Sequence, residues 1–360
     1  MITHAEPKQY SESTFATNID RMRRLARGEP LILVRALWPD PSTDMNQVLF
    51  YRDFEAEVRH YLSEYNRMVD AMEQGFDNVP FFRVDFGRMA WLMSAAYGCE
   101  VIEVGKLLNT KPRFAELAPI AELEPPTPIA ENGLYPEITR RMREIERRFG
   151  PVPFVASDTQ SPIDVATEVV ATEPFLMGMY DEPELVNRLL STLTKSIGDI
   201  LEYQAGVVSN WIGYGHDYPL PAGAHFSDDN AAFLSPEIYR QFAAPPIEVL
   251  AKRFGGATLH CCMGYQQNLK AMSEIPGFLG FDPQPGYNDE SLILEAILDR
   301  GFWRIFSTPE GSNPFEVYVR AIDATRDRAG LLLDVRGRDR DSSLALAAAV
   351  REYADSGRRN

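Results

Sequence analysis

The 360-residue sequence predicts an α/β fold, a (β/α)8 TIM-type barrel with an N-terminal helical extension. Short apolar runs alternate with amphipathic helical stretches, which is the pattern of parallel α/β proteins. About eight such units fit this length, as a barrel requires. No GxGxxG turn supports the main alternative, a doubly wound open sheet with a dinucleotide site. We assign residues 1–75 to the extension and residues 76–360 to the barrel.

Eight segments are predicted to be strands because each is a short apolar run between helical stretches. In chain order they are Leu31–Leu37, Val79–Val84, Val152–Ala156, Val208–Tyr214, Ala257–Cys262, Phe278–Phe281, Trp303–Phe306 and Leu331–Val335. Catalytic groups of a barrel lie where its strands end and its loops begin, so the residues after these runs are the first candidates for a site.

Helices are predicted between most of the strands. Asp53–Gln74 is long and rich in i,i+4 spacing, and Pro136–Phe149 is charged and begins at a proline. Glu182–Tyr203 carries leucine and isoleucine on one broad face. Pro236–Phe254 follows Ser235, a predicted N-cap, and has proline at its first position. Ser342–Ala354 is alanine-rich and closes the fold.

Composition excludes several classes of function. The formal net charge of -16 argues against binding to nucleic acid or to an anionic membrane surface. No run of about 18 uncharged apolar residues occurs, so no transmembrane helix is expected. Three cysteines, two of them adjacent, cannot form a disulfide framework, which favours a reducing, cytoplasmic location.

The segment Leu259–Gly264 is the most informative motif. On a strand His260 and Cys262 point to one face and Cys261 points to the other. An imidazole and a thiol side by side are two potential metal ligands, whereas a catalytic zinc ion usually has three from the protein. Because residues two apart on a strand point side by side, we expect poor geometry for His260 as a base acting on Cys262.

Two further clusters of polar residues follow predicted strands. His216 to Asp229 is dense in histidine and carboxylate, so His225 and Asp228 are candidates for ligation or proton transfer, with a solvated acidic loop as the alternative. Arg83 and Asp85 share one face of a strand end, close to Arg88. They are candidates for holding a substrate, with a structural ion pair as the alternative.

Other strand ends offer isolated polar groups. Asp158 follows the third strand, and Asp282 and Asp334 follow later ones. Aromatic residues near strand ends suggest an apolar or aromatic cavity, with ordinary core packing as the alternative for most of them. They are Phe86, Trp91, Trp211, Tyr214, Phe281 and Tyr287.

The segments Phe226–Pro246, Val79–Glu100 and the strand into His260 resemble the uroporphyrinogen decarboxylase superfamily. The resemblance runs from about residue 75 to the C-terminus and implies a barrel with a deep cleft at the carboxyl ends of its strands. Asp85 matches the essential aspartate of true uroporphyrinogen decarboxylases. Their N-terminal Arg-Gln-Ala-Gly-Arg motif and their late histidine are missing, and the sequence gives little sign of the basic cleft that a substrate with eight carboxylates needs.

The resemblance is closer to the corrinoid-dependent methyltransferases of this superfamily, whose zinc ligands are a His-x-Cys pair and a late cysteine. His260 and Cys262 match the pair, but the last strand, Leu331–Gly337, has no cysteine. Three outcomes remain open. Asp334 or another carboxylate replaces the thiol, His225 supplies a nitrogen ligand, or no metal binds.

The resemblance therefore implies an enzyme that demethylates a small methylated substrate and passes the methyl group to a corrinoid on a partner protein. Zinc is expected on His260, Cys262 and Asp334. Asp85, Asp228 and His225 are the expected catalytic residues. Arg83, Arg88, Tyr214 and Asp282 are expected to bind substrate. The alternatives are a metal-independent decarboxylase or lyase acting on a small carboxylate and a non-catalytic binding subunit, and a homodimer is expected.

Overall fold

The computed structural model describes residues 6–39, 45–325 and 327–356. Parallel strands form its centre, and helices surround them. The strands are β1 Ile32–Leu37, β2 Glu100–Val104, β3 Leu107–Lys111, β4 Phe154–Val155, β5 Trp211–Gly213, β6 Ala224–Ser227, β7 Ala257–Cys261, β8 Phe278–Pro283, β9 Phe302–Ile305 and β10 Gly330–Arg336. Of these, β2 and β3 form a separate antiparallel pair.

The helices follow the predicted pattern, with several short additions. They are α1 Glu12–Ala26, α2 Gln47–Arg52, α3 Phe54–Glu73, α4 Leu92–Ala96, α5 Tyr135–Phe149, α6 Pro162–Val169, α7 Thr172–Asp181, α8 Pro183–Ala205, α9 Pro236–Ile238, α10 Ala244–Phe254, α11 Leu269–Ser273, α12 Glu290–Ile297, α13 Pro314–Thr325 and α14 Arg340–Ser356. Within these residues, each helix is too short or too polar to cross a bilayer.

One predicted helix is interrupted. Ser235 caps α9 by accepting a hydrogen bond from the Ile238 N–H, as the sequence predicts. The helix then widens into a π-turn over Tyr239–Ala243 before α10 begins. Pro245 and Pro246 lack N–H donors, so the regular i to i-4 ladder cannot continue through this stretch.

Six strands pair in the order β1-β10-β9-β8-β7-β6, all of them parallel. The predicted strand Val79–Val84 lies between β1 and β4, although only Phe82 has ladder geometry, paired with Phe154. At its start, the Asn78 side chain bonds both the N–H and the C=O of Ala36, in place of a backbone partner. The ring is closed in this way, which confirms the predicted (β/α)8 barrel.

The predicted strand Val208–Tyr214 is shorter than expected and is followed by a strand that was not predicted, β6. β4 pairs with β5, whereas Gln160, farther along the same segment, pairs with Ser227 of β6. The chain between β5 and β6 turns inward. Gly213 permits this turn, since its φ is +153° and a Cβ atom there would lie 2.5 Å from the Leu220 carbonyl oxygen.

The inward segment and helix α1 close the amino-terminal end of the barrel. Tyr218 and Leu220 are fully buried, and they pack in one cluster with side chains from α1 and from the starts of three strands. These are Met22, Leu25, Ala26, Leu33, Phe302 and Leu332. These side chains therefore fill the amino-terminal end of the barrel, and its open end is the carboxyl end of the strands.

The division of the chain at residue 75 needs correction. β1 pairs with β10 over six residues, so it is a barrel strand rather than part of a helical extension. α3 packs against β1. The barrel therefore begins at Ile32, and only α1 precedes it among the described residues.

We predict that Leu220→Ala lowers the free energy of unfolding by about 2–5 kcal/mol, because it empties a fully buried position in the barrel floor. Leu292→Ala on α12 is the matched control, since that side chain is 38% exposed and should cost less than about 1 kcal/mol. Urea unfolding measures both values. Equal effects of the two substitutions would contradict the inward position of the segment.

Candidate functional site

A buried network of ion pairs crosses the barrel interior, with Arg304 of β9 at its centre. Arg304 donates hydrogen bonds to Asp334 on β10, 2.8 Å away, and to Asp282 on β8, 2.9 Å away. Arg35 of β1 binds the two oxygens of Asp334 at 2.5 and 2.6 Å. All of these side chains are at most 3% exposed. Strand alternation directs them to the same interior face, so their charges compensate one another.

Asp217 joins this network from the segment between β5 and β6. Its carboxylate lies 3.1 Å from Arg83, and 3.2 Å from both Arg88 and Arg304. Burial alone would raise the pKa of Asp217, but Arg88 and Arg304 are the main groups that hold it well below its usual value. Asp217 is therefore an ionised anchor for three arginines from different elements.

Asp282 also connects the network to the histidines. Its Oδ1 atom lies 3.0 Å from His225 Nε2 and 3.4 Å from His260 Nδ1. Despite burial, these two imidazoles lower the pKa of Asp282. His216 contacts His225, with ring centroids 4.3 Å apart and ring planes tilted by 38°. Its pKa is well below the usual value because of burial and the neighbouring His225, so His216 is neutral near pH 7.

His260, Cys262 and Asp229 form a compact group at the end of β7, and one potential ligand atom from each lies within 4.8 Å of the others. His260 Nδ1 is 2.7 Å from the carbonyl oxygen of Asp282, so this nitrogen carries the proton. Nε2 then faces Cys262 Sγ, 3.0 Å away. Asp229 accepts a hydrogen bond from the Cys262 N–H, and Cys262 itself is exposed.

This contact corrects the expectation that His260 and Cys262 are badly oriented for each other. β7 ends at Cys261, so Cys262 is no longer bound to strand geometry and its sulfur turns back to the imidazole. Burial alone would lower the pKa of His260, but the carboxylate of Asp282 is the largest influence that raises it well above its usual value.

Asp228 lies beside this group but faces away from it. It is fully buried, its N–H donates to the His260 carbonyl, and its Oδ2 atom accepts from the Tyr239 hydroxyl at 2.7 Å. Burial raises its pKa to about 6. Asp164 holds the same loop by accepting the N–H groups of Asp229 and Asn230. Asp228 therefore supports the backbone of His260 from behind.

A left-handed turn follows the segment that carries Arg83. Phe86, Gly87 and Arg88 have φ values of 54°, 80° and 63°, which is strained for the two residues with side chains. Each N–H of the turn is bound in succession by Glu57, Tyr61 and Asp85.

Asp85 makes its ion pair and its hydrogen bonds with this turn and with neighbouring residues. It is fully buried, it pairs with Arg83 at 2.8 Å, and it accepts from the Tyr61 hydroxyl and the Asp158 N–H. The structural ion pair, which the sequence left as the alternative for Arg83 and Asp85, is what the structure contains. Asp85 fixes where Arg83 and Arg88 lie.

A cavity of about 270 Å³ opens beside this turn at the mouth of the barrel. Six arginines, two carboxylates and His60 are among its lining residues, and Trp38 and Phe81 are its aromatic residues. The arginines are Arg35, Arg67, Arg83, Arg88, Arg304 and Arg336, and the carboxylates are Glu64 and Asp217. None of the six aromatic residues singled out in the sequence lines this cavity, and the pocket is basic, which the sequence did not reveal.

The family model described as uroporphyrinogen decarboxylase (URO-D) matches residues 84–290, which is more than half of the chain. The chain belongs to this family. No curated protein matches it by sequence. A solved structure of a methyltransferase from Methanosarcina mazei is similar, with a TM-score of 0.60 and 16% identity, over 94% of this chain and 98% of that one. This likeness shows the shared fold, and it agrees with a barrel of this family.

Within this family fold, most of the expected site residues do come together. His225, His260, Cys262 and Asp282 lie in one connected group, and Arg83 and Arg88 line the cavity. Besides Asp85 and Asp228, whose structural roles are described above, two expected residues lie elsewhere. Asp334 is the counterion of Arg35 and Arg304 rather than a neighbour of Cys262. Tyr214 packs on Phe254 and Trp211, so it is part of the core and not of the cavity.

Four residues of the site were missed or misjudged from the sequence. Asp229, not Asp334, is the carboxylate beside His260 and Cys262. Arg304, Arg336 and His60 were not singled out, although Arg304 lies in a predicted strand and Arg336 directly follows another. Strand alternation from Asp334 would have placed Arg336 on the interior face. No local pattern indicates His60, which faces the cavity from α3.

Asp158 gives a test of the electrostatics of the site. Its Oδ1 atom has no hydrogen-bond partner among the described residues and lies 3.6 Å from His216 Nε2. Burial, followed by the charges of Asp85 and Asp217, raises its pKa from 3.8 to about 7. The stability that this group contributes is thus complete below about pH 4 and is lost as the pH rises through about 7.

We predict that Asp158→Asn becomes more stable than the wild type as the pH rises from 4 to 8, by roughly 2–4 kcal/mol. The asparagine cannot ionise, so it avoids the cost of a buried charge. Denaturant unfolding at several pH values measures this difference, and Asp341→Asn, at a side chain that is 92% exposed, controls for the chemical change. A difference in the free energy of unfolding that does not change with pH would contradict the raised pKa of Asp158.

Proposed function

We propose that this protein transfers a methyl group from a small methylated compound to a corrinoid carried on a partner protein, with zinc held by Asp229, His260 and Cys262. The observation that carries the proposal is the convergence of one carboxylate, one imidazole and one thiol at the open end of a barrel. Three protein ligands with one side open to solvent are typical of catalytic rather than structural zinc sites.

The donor set fits zinc in its chemistry. Zinc accepts sulfur, nitrogen and oxygen ligands, and a metal-binding imidazole usually donates its other N–H to a carbonyl or carboxylate. His260 makes that bond to the Asp282 carbonyl, which places Nε2 on the side of Cys262, where zinc would replace the second proton of the imidazole. Asp229 and Cys262 already contact each other through the backbone N–H.

Zinc in this position supplies Lewis acidity at the heteroatom of the methyl donor, so that the demethylated product leaves more easily. Other residues of the protein position the proposed ligands. Asp282 and Arg304 hold the His260 ring in place, and Asp228 and Asp164 hold the loop that carries Asp229. Because Asp228 is fully buried, its role is to position this loop rather than to exchange protons with the substrate.

A partner needs access to the mouth of the barrel. Cys262 is exposed there, and the loops after β6 and β8 carry the exposed aromatic residues Phe233 and Tyr287, each 62% accessible. Exposed aromatic residues are common in protein interfaces. This arrangement supports a transient docking surface around the proposed centre.

We predict that the protein purified from zinc-containing medium holds about one zinc ion per chain, and that Cys262→Ala or Asp229→Asn loses it. Cys261→Ala is the matched control, because Cys261 is buried, lies next along the chain and provides none of the three proposed ligand atoms. Its thiol donates instead to the backbone carbonyl of Asp229. Elemental analysis after gel filtration measures the zinc content. Zinc retained in Cys262→Ala, or absent from the wild type, would overturn the metal assignment.

Methyl transfer is tested by reconstitution. The protein is mixed with a reduced corrinoid protein and candidate methyl donors, and the cobalt absorption spectrum is followed. Methylation of cobalt should occur with the wild type and Cys261→Ala and should fall at least about a hundredfold with Cys262→Ala. Equal rates in Cys261→Ala and Cys262→Ala would exclude the proposed role of the thiol.

The six arginines around the cavity favour a second candidate function, that of a metal-independent decarboxylase or lyase that acts on a small carboxylate. In that case Arg83 and Arg88 hold the carboxylate, and neither Cys262 nor zinc is needed. Release of carbon dioxide by the zinc-free protein would favour this candidate over methyl transfer. A protein that binds small molecules and turns over none of them would be a binding subunit.

A further inference from the structure

The antiparallel hairpin of β2 and β3 is separate from the sheet of the barrel. Its turn consists of two residues, the first of which is Gly105 with a φ of 63°, as a tight hairpin turn requires. Beside such a turn the flanking pair, Val104 and Leu107, exchanges both backbone hydrogen bonds, and bonded pairs then alternate along the strands. Every second residue of each strand therefore directs its N–H and C=O groups to the outer edge of the hairpin.

The outer edge of β3 is already bonded within the chain. Its outward N–H groups belong to Leu108 and Thr110, and they donate to the side chains of Gln47 and Asn109, respectively. Gln47 also donates to two carbonyl groups of the left-handed turn at the barrel mouth. The hairpin is therefore fixed to the barrel through β3.

The outer edge of β2, in contrast, is open. Its outward groups belong to Val101 and Glu103, and within the described part of the chain none of these N–H and C=O groups has a hydrogen-bond partner. Charged side chains often protect such an edge. Here Arg52 binds Glu103 at 2.6 Å, and Lys111 binds Glu100 at 3.2 Å. Because both charges are compensated within the same chain, the edge of β2 is available to a further strand.

One face of the hairpin is also apolar and accessible. Ile102, Val104 and Leu107 share this face, because residues two apart on a strand and residues paired across strands point to the same side. Val104 is 53% exposed and Leu107 is 51% exposed. A strand added at the edge of β2 would bond the open backbone groups and would cover part of this apolar surface at the same time.

We infer that β2 pairs with β2 of a second copy of this chain, antiparallel about a two-fold axis at Ile102, so that the two hairpins form one continuous sheet. In this register Val101 of each copy lies opposite Glu103 of the other, and each copy donates two backbone hydrogen bonds and accepts two. Ile102 faces its own counterpart across the axis. Glu100 lies opposite Val104, so no like charges are opposed.

The symmetry of the edge favours a second copy as the partner. A two-fold contact of this kind uses the same surface on both copies and closes after two, so neither copy keeps an open edge. The resemblance to the family leads us to expect a homodimer, and this contact gives the dimer a specific surface. The net charge of -16 on each copy opposes association, so added salt should strengthen the pairing by screening that repulsion.

The test is sedimentation equilibrium of the full-length protein from about 1 to about 100 µM, in about 0.05 M and about 0.5 M sodium chloride. The wild type should form dimers, and more tightly at the higher salt concentration. Ile102→Lys should weaken dimerisation at least about tenfold, because two ammonium groups would then meet across the axis. Leu107→Lys is the matched control. It makes the same change of charge on the same face but on β3, away from the axis, and should weaken dimerisation less than about threefold.

Hydrogen exchange locates the contact in the wild type. The amides of Val101 and Glu103 should exchange at least about tenfold more slowly at high than at low protein concentration. The Thr110 amide, which is bonded to the side chain of Asn109 in the same chain, should not change. Thermal unfolding checks Ile102→Lys, which should remain folded because this side chain is partly exposed.

Three outcomes would overturn the inference. The first is a wild type that stays monomeric over this range at both salt concentrations. The second is an equal loss of dimer in Ile102→Lys and Leu107→Lys, which would indicate packing between hairpin faces rather than edges. The third is a dimer in which the β2 amides gain no protection, which would place the contact elsewhere. The inference does not rest on the proposed function, since zinc content and methyl transfer are measured separately.

Discussion

Arg304 is the residue on which the interior of this barrel depends. Its guanidinium reaches Asp334, Asp282 and Asp217, which come from three separate parts of the chain. Burying a charge of either sign without a partner costs free energy. Each of these groups therefore lowers the cost of burying the others. The two regions at the mouth share this support. Asp282 holds His260 on one side, and Asp217 holds Arg88 on the other.

The left-handed turn at residues 86–88 fixes the region around Arg88 in a different way. Two non-glycine residues with positive φ cost roughly 1–3 kcal/mol each, and such strain persists only where the surroundings determine it. Glu57, Tyr61 and Asp85 provide those surroundings by binding the three successive N–H groups. The cost is met in the folded protein itself, so the backbone of Arg88 is held in one conformation.

Local patterns in the sequence are enough to predict the barrel, because most strands are short apolar runs and the long helices have regular apolar faces. They also locate His260 and Cys262. They fail where the outcome depends on where a strand ends. β6 stops at Ser227, so alternation no longer tells Asp228 from Asp229, and only the latter reaches the thiol. The pairing of Asp334 with Arg35, 299 positions earlier in the chain, has no local signal.

The sealed floor of the barrel has a consequence for the order of events. Tyr218, Leu220 and helix α1 fill the amino-terminal end, so among the described residues the route for a small molecule, in and out, is the carboxyl-terminal mouth. Any protein that covered that mouth would close this route while it stayed bound. Substrate entry would then have to precede docking, and product would leave only after undocking, so the dissociation rate of the complex would set an upper limit on turnover frequency.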